Sequence, residues 1–161
     1  MTQTLLLIAC GFAAAASGLV AGVFLAFSDF IMKSLATMPP TSGALAMQVI
    51  NREVYGSIFL TLFMILAGLS LALGGYAAYW IEAASSPWLL AASGIYLLGV
   101  FFVTAAFNVP RNKRLDGLKR TSPEGVNYWA RYQVSWTRLN HIRTVSSAAA
   151  SVCFLIGATL L

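Results

Sequence analysis

Charge is what this chain has least of. Only 9% of its 161 residues are Asp, Glu, Lys or Arg, against about 25% in an ordinary soluble domain. A water-exposed globule is therefore excluded. Acids are scarcer than bases, 5 against 10, and there is a single histidine. One imidazole cannot supply the paired ligands of a histidine zinc site or a bis-histidine haem. The two cysteines, Cys10 and Cys153, each sit inside an apolar run, with no CxxC or Cys/His cluster. They are read as small buried hydrophobes, with a helix-to-helix disulfide as the alternative. The net charge of +5 would suit nucleic acid, but the basic residues flank apolar runs and form no stripe on a polar fold. No nucleic-acid partner is expected, because membrane topology accounts for the pattern.

What the chain has in abundance is apolar sequence: 59% of residues are hydrophobic and the mean hydropathy is +0.79. A helix needs about 20 apolar residues to cross the hydrocarbon, and four such runs fit. The predicted fold is all-α, a four-helix integral membrane bundle in one domain, with spans over about 4–34, 56–80, 87–109 and 140–161. The motif Leu7-Ile8-Ala9-Cys10 and the run Ala13 to Ala16 resemble signal-cleavage sites. No Lys or Arg precedes them and the apolar run continues past both, so a retained first span is expected. Its glycines at 18 and 22 form a GxxxG pair that favours close helix packing. Near its end, Asp29 pairs with Lys33 one turn later.

Pro39-Pro40 stops the first helix, and a short helix over about 42–54 follows. Tyr76, Tyr79 and Trp80 belt the far end of the second span. A brief turn holding Glu82 leads to the third helix. Pro110 is expected to end or kink that helix, leaving a basic loop over 111–122. Ser122 then caps an amphipathic helix from about 123 to 139 that runs on into the fourth span. All ten basic residues fall on the first and third connections or beside them. The positive-inside rule accordingly places both termini on the non-cytoplasmic side, in what we expect to be a bacterial inner membrane.

The stretch from Ala106 to Thr144 holds His141, two of the four tryptophans and the basic residues from Arg111 to Arg143. Orientation explains the loop charges, but not Asn108, Asn112, Trp136, Asn140 and His141, which are costly near a span end unless paired. On the fourth helix Trp136, Asn140 and Arg143 share a face, with His141 on the adjoining one. Asn108 and Asn112 lie at a comparable depth on the third helix. These groups either converge in a pocket facing the cytoplasm or simply cross-link helices three and four, with Trp136 as a belt residue.

Four segments carry a resemblance: Ala21 to Ser28, Met47 to Arg52, Phe107-Asn108-Val109-Pro110-Arg111-Asn112, and Trp136 to Thr144. Together the chain resembles the anthrone oxygenase family of small four-helix membrane proteins, and the last two segments are the most specific. The resemblance implies oxidation of an anthrone-like or hydroquinone-like polycyclic aromatic by molecular oxygen, with no cofactor and no metal. Proton removal from the anthrone methylene gives a delocalised anion that can reduce oxygen.

On that reading the catalytic set is His141, Asn108, Asn140 and Arg143. His141 takes the proton, the asparagines hold the developing oxyanion, and Arg143 or Arg111 balances its charge. Trp136, Asn112, Arg111, Phe107 and Asn51 form the substrate-binding set, with Trp136 and Phe107 stacking on the flat ring. The expected partners are membrane lipid and a hydrophobic aromatic molecule, with room for a homo-oligomer. The rival class is a non-catalytic membrane protein that binds a lipid, quinone or small aromatic in the same place. A transporter is disfavoured, since no acid lies mid-membrane and no inverted repeat is visible.

Overall fold

A computed structural model describes residues 3–80 and 84–161; the turn expected around Glu82 lies outside them. Five helices account for the described chain. They are α1 (Gln3–Thr37), α2 (Pro40–Glu53), α3 (Ile58–Trp80), α4 (Ser86–Gly117) and α5 (Pro123–Thr159). No strand occurs among the described residues. Helices α1, α3, α4 and α5 are each long and apolar enough to cross a membrane. Leu19, Leu71, Leu98 and Val145, one from each, are 67–68% exposed on the outside of the bundle. Large apolar side chains turned outward on all four spans suit a lipid solvent. This is the all-helical architecture of an integral membrane protein.

The four spans form a ring in which α1 packs on α3 and α5, and α4 on α3 and α5. Small residues bring the helices close. The Ser151 hydroxyl donates to the Ala14 carbonyl at 2.7 Å, and a Cβ on Gly18 would lie 3.4 Å from the same Oγ. Gly22, the other half of the GxxxG pair, has no atom of a neighbouring helix within 4 Å of its Cβ position. The close seam is thus set by Gly18 with alanines and serines, and not by the glycine pair. Cys10 and Cys153 are both free thiols, and Asp29 and Lys33 form an exposed ion pair at 3.5 Å.

The bundle has two cores. One fills the spans, from Leu6 to Phe24 on α1 and from Ala150 to Ala158 on α5, with Leu66, Leu73, Leu89 and Tyr96 between them. The other lies at the basic end, where Met32, Leu35, Met47 and Leu115 pack round Tyr128, Trp129, Tyr132 and Trp136. The length of α5 makes this possible. Its 37 residues extend about 55 Å at 1.5 Å per residue, far more than the ~30 Å hydrocarbon layer. Ser122 starts it by accepting the Gly125 N–H at 3.1 Å, the expected N-cap.

The chain departs from expectation at Pro110. Helix α4 does not stop there but continues to Gly117. Two wide π turns, Tyr96–Phe102 and Thr104–Asn108, precede the proline. In the second the Val109 N–H reaches back five residues to the Thr104 carbonyl. The helix is already widened where the proline enters, and it proceeds without the missing N–H. Its extension is then held by packing: Leu115 is buried in the second core, and Gln48 of α2 donates to the Leu115 carbonyl at 2.8 Å. The first and third connections therefore meet at one end, where Arg52 and Asp116 form an ion pair at 2.7 Å.

Helix α2 is laid across this end through Gly43, whose Cβ position abuts the Leu35 carbonyl and lies 3.1 Å from the Trp129 ring. Backbone cannot yield there. Gly43→Ala should therefore lower stability by about 1–3 kcal/mol through overpacking, while Gly22→Ala leaves the thermal midpoint in detergent unchanged. Equal midpoints for the two variants would refute the α1–α2 contact.

Candidate functional site

Between the two cores lies a pocket of about 410 Å³, within the range of small-molecule sites. Its walls are aromatic and aliphatic: Phe24 and Phe27 from α1, Met47 and Ile50 from α2, Phe59 and Phe63 from α3, and Trp136 from α5. The polar groups on its surface are few. They are Asn51, Glu53, Tyr55, Ser57, Thr104, Asn112 and Arg143. Val23, Val49, Glu53 and Tyr55 are exposed and form the rim, while Asn51, Trp136 and Arg143 are buried.

Arg143 dominates the electrostatics. It is only 5% exposed, yet none of the ion pairs among the described residues includes it. Its guanidinium is instead held by neutral groups. One Nη donates to Asn140 Oδ1 at 2.6 Å and the other to Thr104 Oγ1 at 3.4 Å. Its carbon lies 4.3 Å from the Phe24 ring centroid and 5.0 Å from that of Trp136, a double cation–π cradle. With its amide oxygen turned toward these donors, Asn108 accepts from Arg143 at 3.3 Å and from Trp136 Nε1 at 3.2 Å. The Nε–H has no partner within the described chain. A buried cation with no ion-pair partner among the described residues leaves its positive charge uncompensated at its own end of the pocket.

Asparagines tie this cation to three spans. Asn140 donates to the Phe24 carbonyl at 2.6 Å and to Ser28 Oγ at 2.7 Å. The Phe24 carbonyl lies just before the π turn Phe27–Ile31, which carries Ser28. The Asn112 amide oxygen receives the Trp136 N–H and the Tyr132 hydroxyl, both at 2.9 Å, and Asn51 donates to that same hydroxyl at 3.5 Å. Below them an aromatic ladder climbs α5: Trp129, Tyr132 and Trp136 stack with centroids 5.8 and 6.2 Å apart. The ladder fixes the indole that forms the pocket wall.

The structure divides the residues expected to act together. Arg143, Asn112, Trp136 and Asn51 line the pocket, and Asn108 and Asn140 hold its arginine from behind. His141 does not join them. It is exposed and lines a separate groove of about 540 Å³ between α1 and α5, beside Asp29, Lys33 and Arg138. The reason is helical: one residue on from the inward Asn140 is about 100° further round the helix. Phe107 is exposed and packs edge-on against Phe102. Arg111 donates to the Phe107 carbonyl at 2.8 Å. Neither lines the pocket. Sequence reasoning missed Thr104, Tyr55 and Glu53. The four-residue spacing from Thr104 to Asn108 on α4 would have revealed the first.

A family model described as anthrone oxygenase matches residues 52–153. The chain belongs to the anthrone oxygenase family. The matched span holds Glu53, Asn108, Asn112, Trp136, Asn140 and Arg143. Phe24, Phe27 and Asn51, which complete the pocket, precede it. No curated protein and no solved structure matches the chain. Among the described residues no three His, Cys, Asp or Glu side chains cluster as metal ligands do. In this anthrone oxygenase family member a buried cation, held by neutral acceptors and with its Nε–H unpartnered among the described residues, lines an aromatic-walled pocket, an arrangement that favours a ligand carrying or developing negative charge.

Because Asn140 is the shortest acceptor for Arg143, Asn140→Ala strands the guanidinium. It should lower stability by about 1–3 kcal/mol or more, read as a fall in thermal midpoint. Thr144→Ala, at the periphery of the network, should shift the midpoint far less. A larger loss for Thr144→Ala would mean that Arg143 is held in some other way.

Proposed function

We propose that this pocket binds a planar, anthrone-like polycyclic aromatic and oxidises it with molecular oxygen, without a cofactor. The observation that carries the reading is Arg143, a buried guanidinium with no carboxylate partner at the floor of an aromatic-walled pocket. Family membership supports it. The flat ring lies among Phe24, Phe27, Phe59 and Trp136, where aromatic contacts favour a planar guest. Loss of a methylene proton turns the anthrone carbonyl into an enolate oxygen. Arg143, positioned by Asn140 and Asn108, stabilises that charge in a site shielded from water. The electron-rich carbon then reduces oxygen and forms a C–O bond to give a hydroperoxide, which loses water to leave the second carbonyl. The sum is anthrone plus O₂ giving anthraquinone plus water. The basic end of the bundle, and with it the pocket, faces the cytoplasm by the positive-inside rule.

The test is oxygen uptake and product analysis with a panel of anthrones, on full-length protein in detergent, against protein-free buffer. Arg143→Gln should reduce kcat by about 10²–10³-fold, the loss typical of an oxyanion donor. His141→Ala, outside the pocket, should keep the wild-type rate within about twofold, the scale of a change remote from the chemistry. Wild-type protein that oxidises no anthrone faster than buffer refutes the oxygenase reading. If it still binds a hydroxyanthraquinone, the pocket belongs to a binding protein.

A further inference from the structure

The pocket has a second charged group besides Arg143: Glu53, the last residue of α2, on its rim. We propose that Glu53 is the proton acceptor of this site, so that the substrate class is a carbon acid whose conjugate oxyanion reaches Arg143. The assignment rests on the oxygenase reading above.

Three observations carry it. First, Glu53 makes no ion pair or hydrogen bond among the described residues, although Arg52 stands beside it. Arg52 is committed to Asp116, with Nε and Nη2 both on one carboxylate oxygen at 2.8 and 2.7 Å. The Glu53 carboxylate is thus unengaged beside the cavity. Second, among the described residues it is the only carboxylate lining the pocket, and no histidine lines it. Of the acids elsewhere among the described residues, Asp29, Asp116 and Glu124 are each paired with a base. Third, Glu53 and Arg143 carry opposite charges in one cavity without pairing to each other. A site that keeps a base and a cation apart suits a ligand that surrenders a proton at one position and gathers charge at another.

The step balances. The C–H bond of the methylene breaks, its proton goes to a Glu53 carboxylate oxygen, and its electron pair delocalises onto the ring oxygen beside Arg143. The anion gives its electrons to O₂, the co-reactant, and protonated Glu53 returns the proton to the peroxide oxygen. Elimination of water then yields the quinone carbonyl and leaves Glu53 ionised for the next cycle. Arg143 serves the oxyanion end throughout.

The experiment compares wild-type protein with Glu53→Gln and Glu53→Ala. The probes are anthrone, anthrone dideuterated at the methylene, and 1,8-dihydroxyanthraquinone, which needs no deprotonation to bind. The expected result is a kcat lowered by about 10²–10⁴-fold in Glu53→Gln, the usual worth of a general base. Affinity for the dihydroxyanthraquinone and the thermal midpoint should stay at wild-type values. The slowed variant should show a primary deuterium effect, and added formate or acetate should restore part of the Glu53→Ala rate. Wild-type kcat in Glu53→Gln, or a loss confined to KM, overturns the assignment and leaves the oxygenase reading intact. A wild-type protein inert toward every anthrone removes both.

Discussion

A guanidinium held within an apolar bundle, with no carboxylate against it, is the constraint around which the polar end of this protein is built. At a helix centre an arginine costs roughly 2.5–3.5 kcal/mol on insertion scales, so its surroundings must recover that with neutral groups. Asn140, Asn108 and Thr104 supply acceptors, while Phe24 and Trp136 supply ring faces. Each of those partners is fixed in turn. Asn140 is anchored on the Phe24 carbonyl and Ser28, and Trp136 is anchored by Asn112 and the Tyr132 stack. Arg143 therefore ties α1, α4 and α5 at one depth. Of the groups that hold the charge, Phe24, Thr104 and Trp136 also line the pocket.

Helix geometry is adapted to the same end. The π turns Phe27–Ile31 and Thr104–Asn108 lie at the level of the pocket, and the residues they carry include Ser28, Thr104 and Asn108. A wider turn rotates the following side chains relative to an ideal helix, which is why such turns recur at functional sites. Here the second one also lets α4 pass Pro110. The extended α4, the long α5 and the overlying α2 then make a second core beyond the spans. That core closes the pocket on its polar side and brings the end of α2, with Glu53, to its rim.

The legible and illegible parts of the fold separate by physical origin. The runs from Leu5 to Phe27 and from Gly56 to Trp80 declare spans by composition alone. Ser122-Pro123 declares the start of α5 by its capping chemistry. Asn108, Asn112, Trp136, Asn140 and Arg143 stand out because polar groups beside a span are costly and require partners. Pro110 misled because proline speaks to local backbone, while a π turn and the buried Leu115 decided the outcome. Glu53 went unnoticed because on a regular helix it faces about 200° from Asn51. Both nonetheless border one cavity, Asn51 buried inside it and Glu53 on its exposed rim.

The sequence by itself therefore determined four apolar spans, two connections rich in basic residues at the same end, and the short set of polar side chains from which any site must be drawn. Hydropathy and helical period are local quantities, and each is complete within a single helix. Tertiary structure alone decided which of those side chains share a cavity. It turned Arg143 and Trp136 inward among phenylalanines from α1 and α3, sent His141 to an outer groove, and brought Glu53 to the rim of the pocket that Arg143 lines. That outcome depends on how neighbouring helices are rotated and stacked against one another. Packing sets the rotation, and no single stretch of chain encodes it.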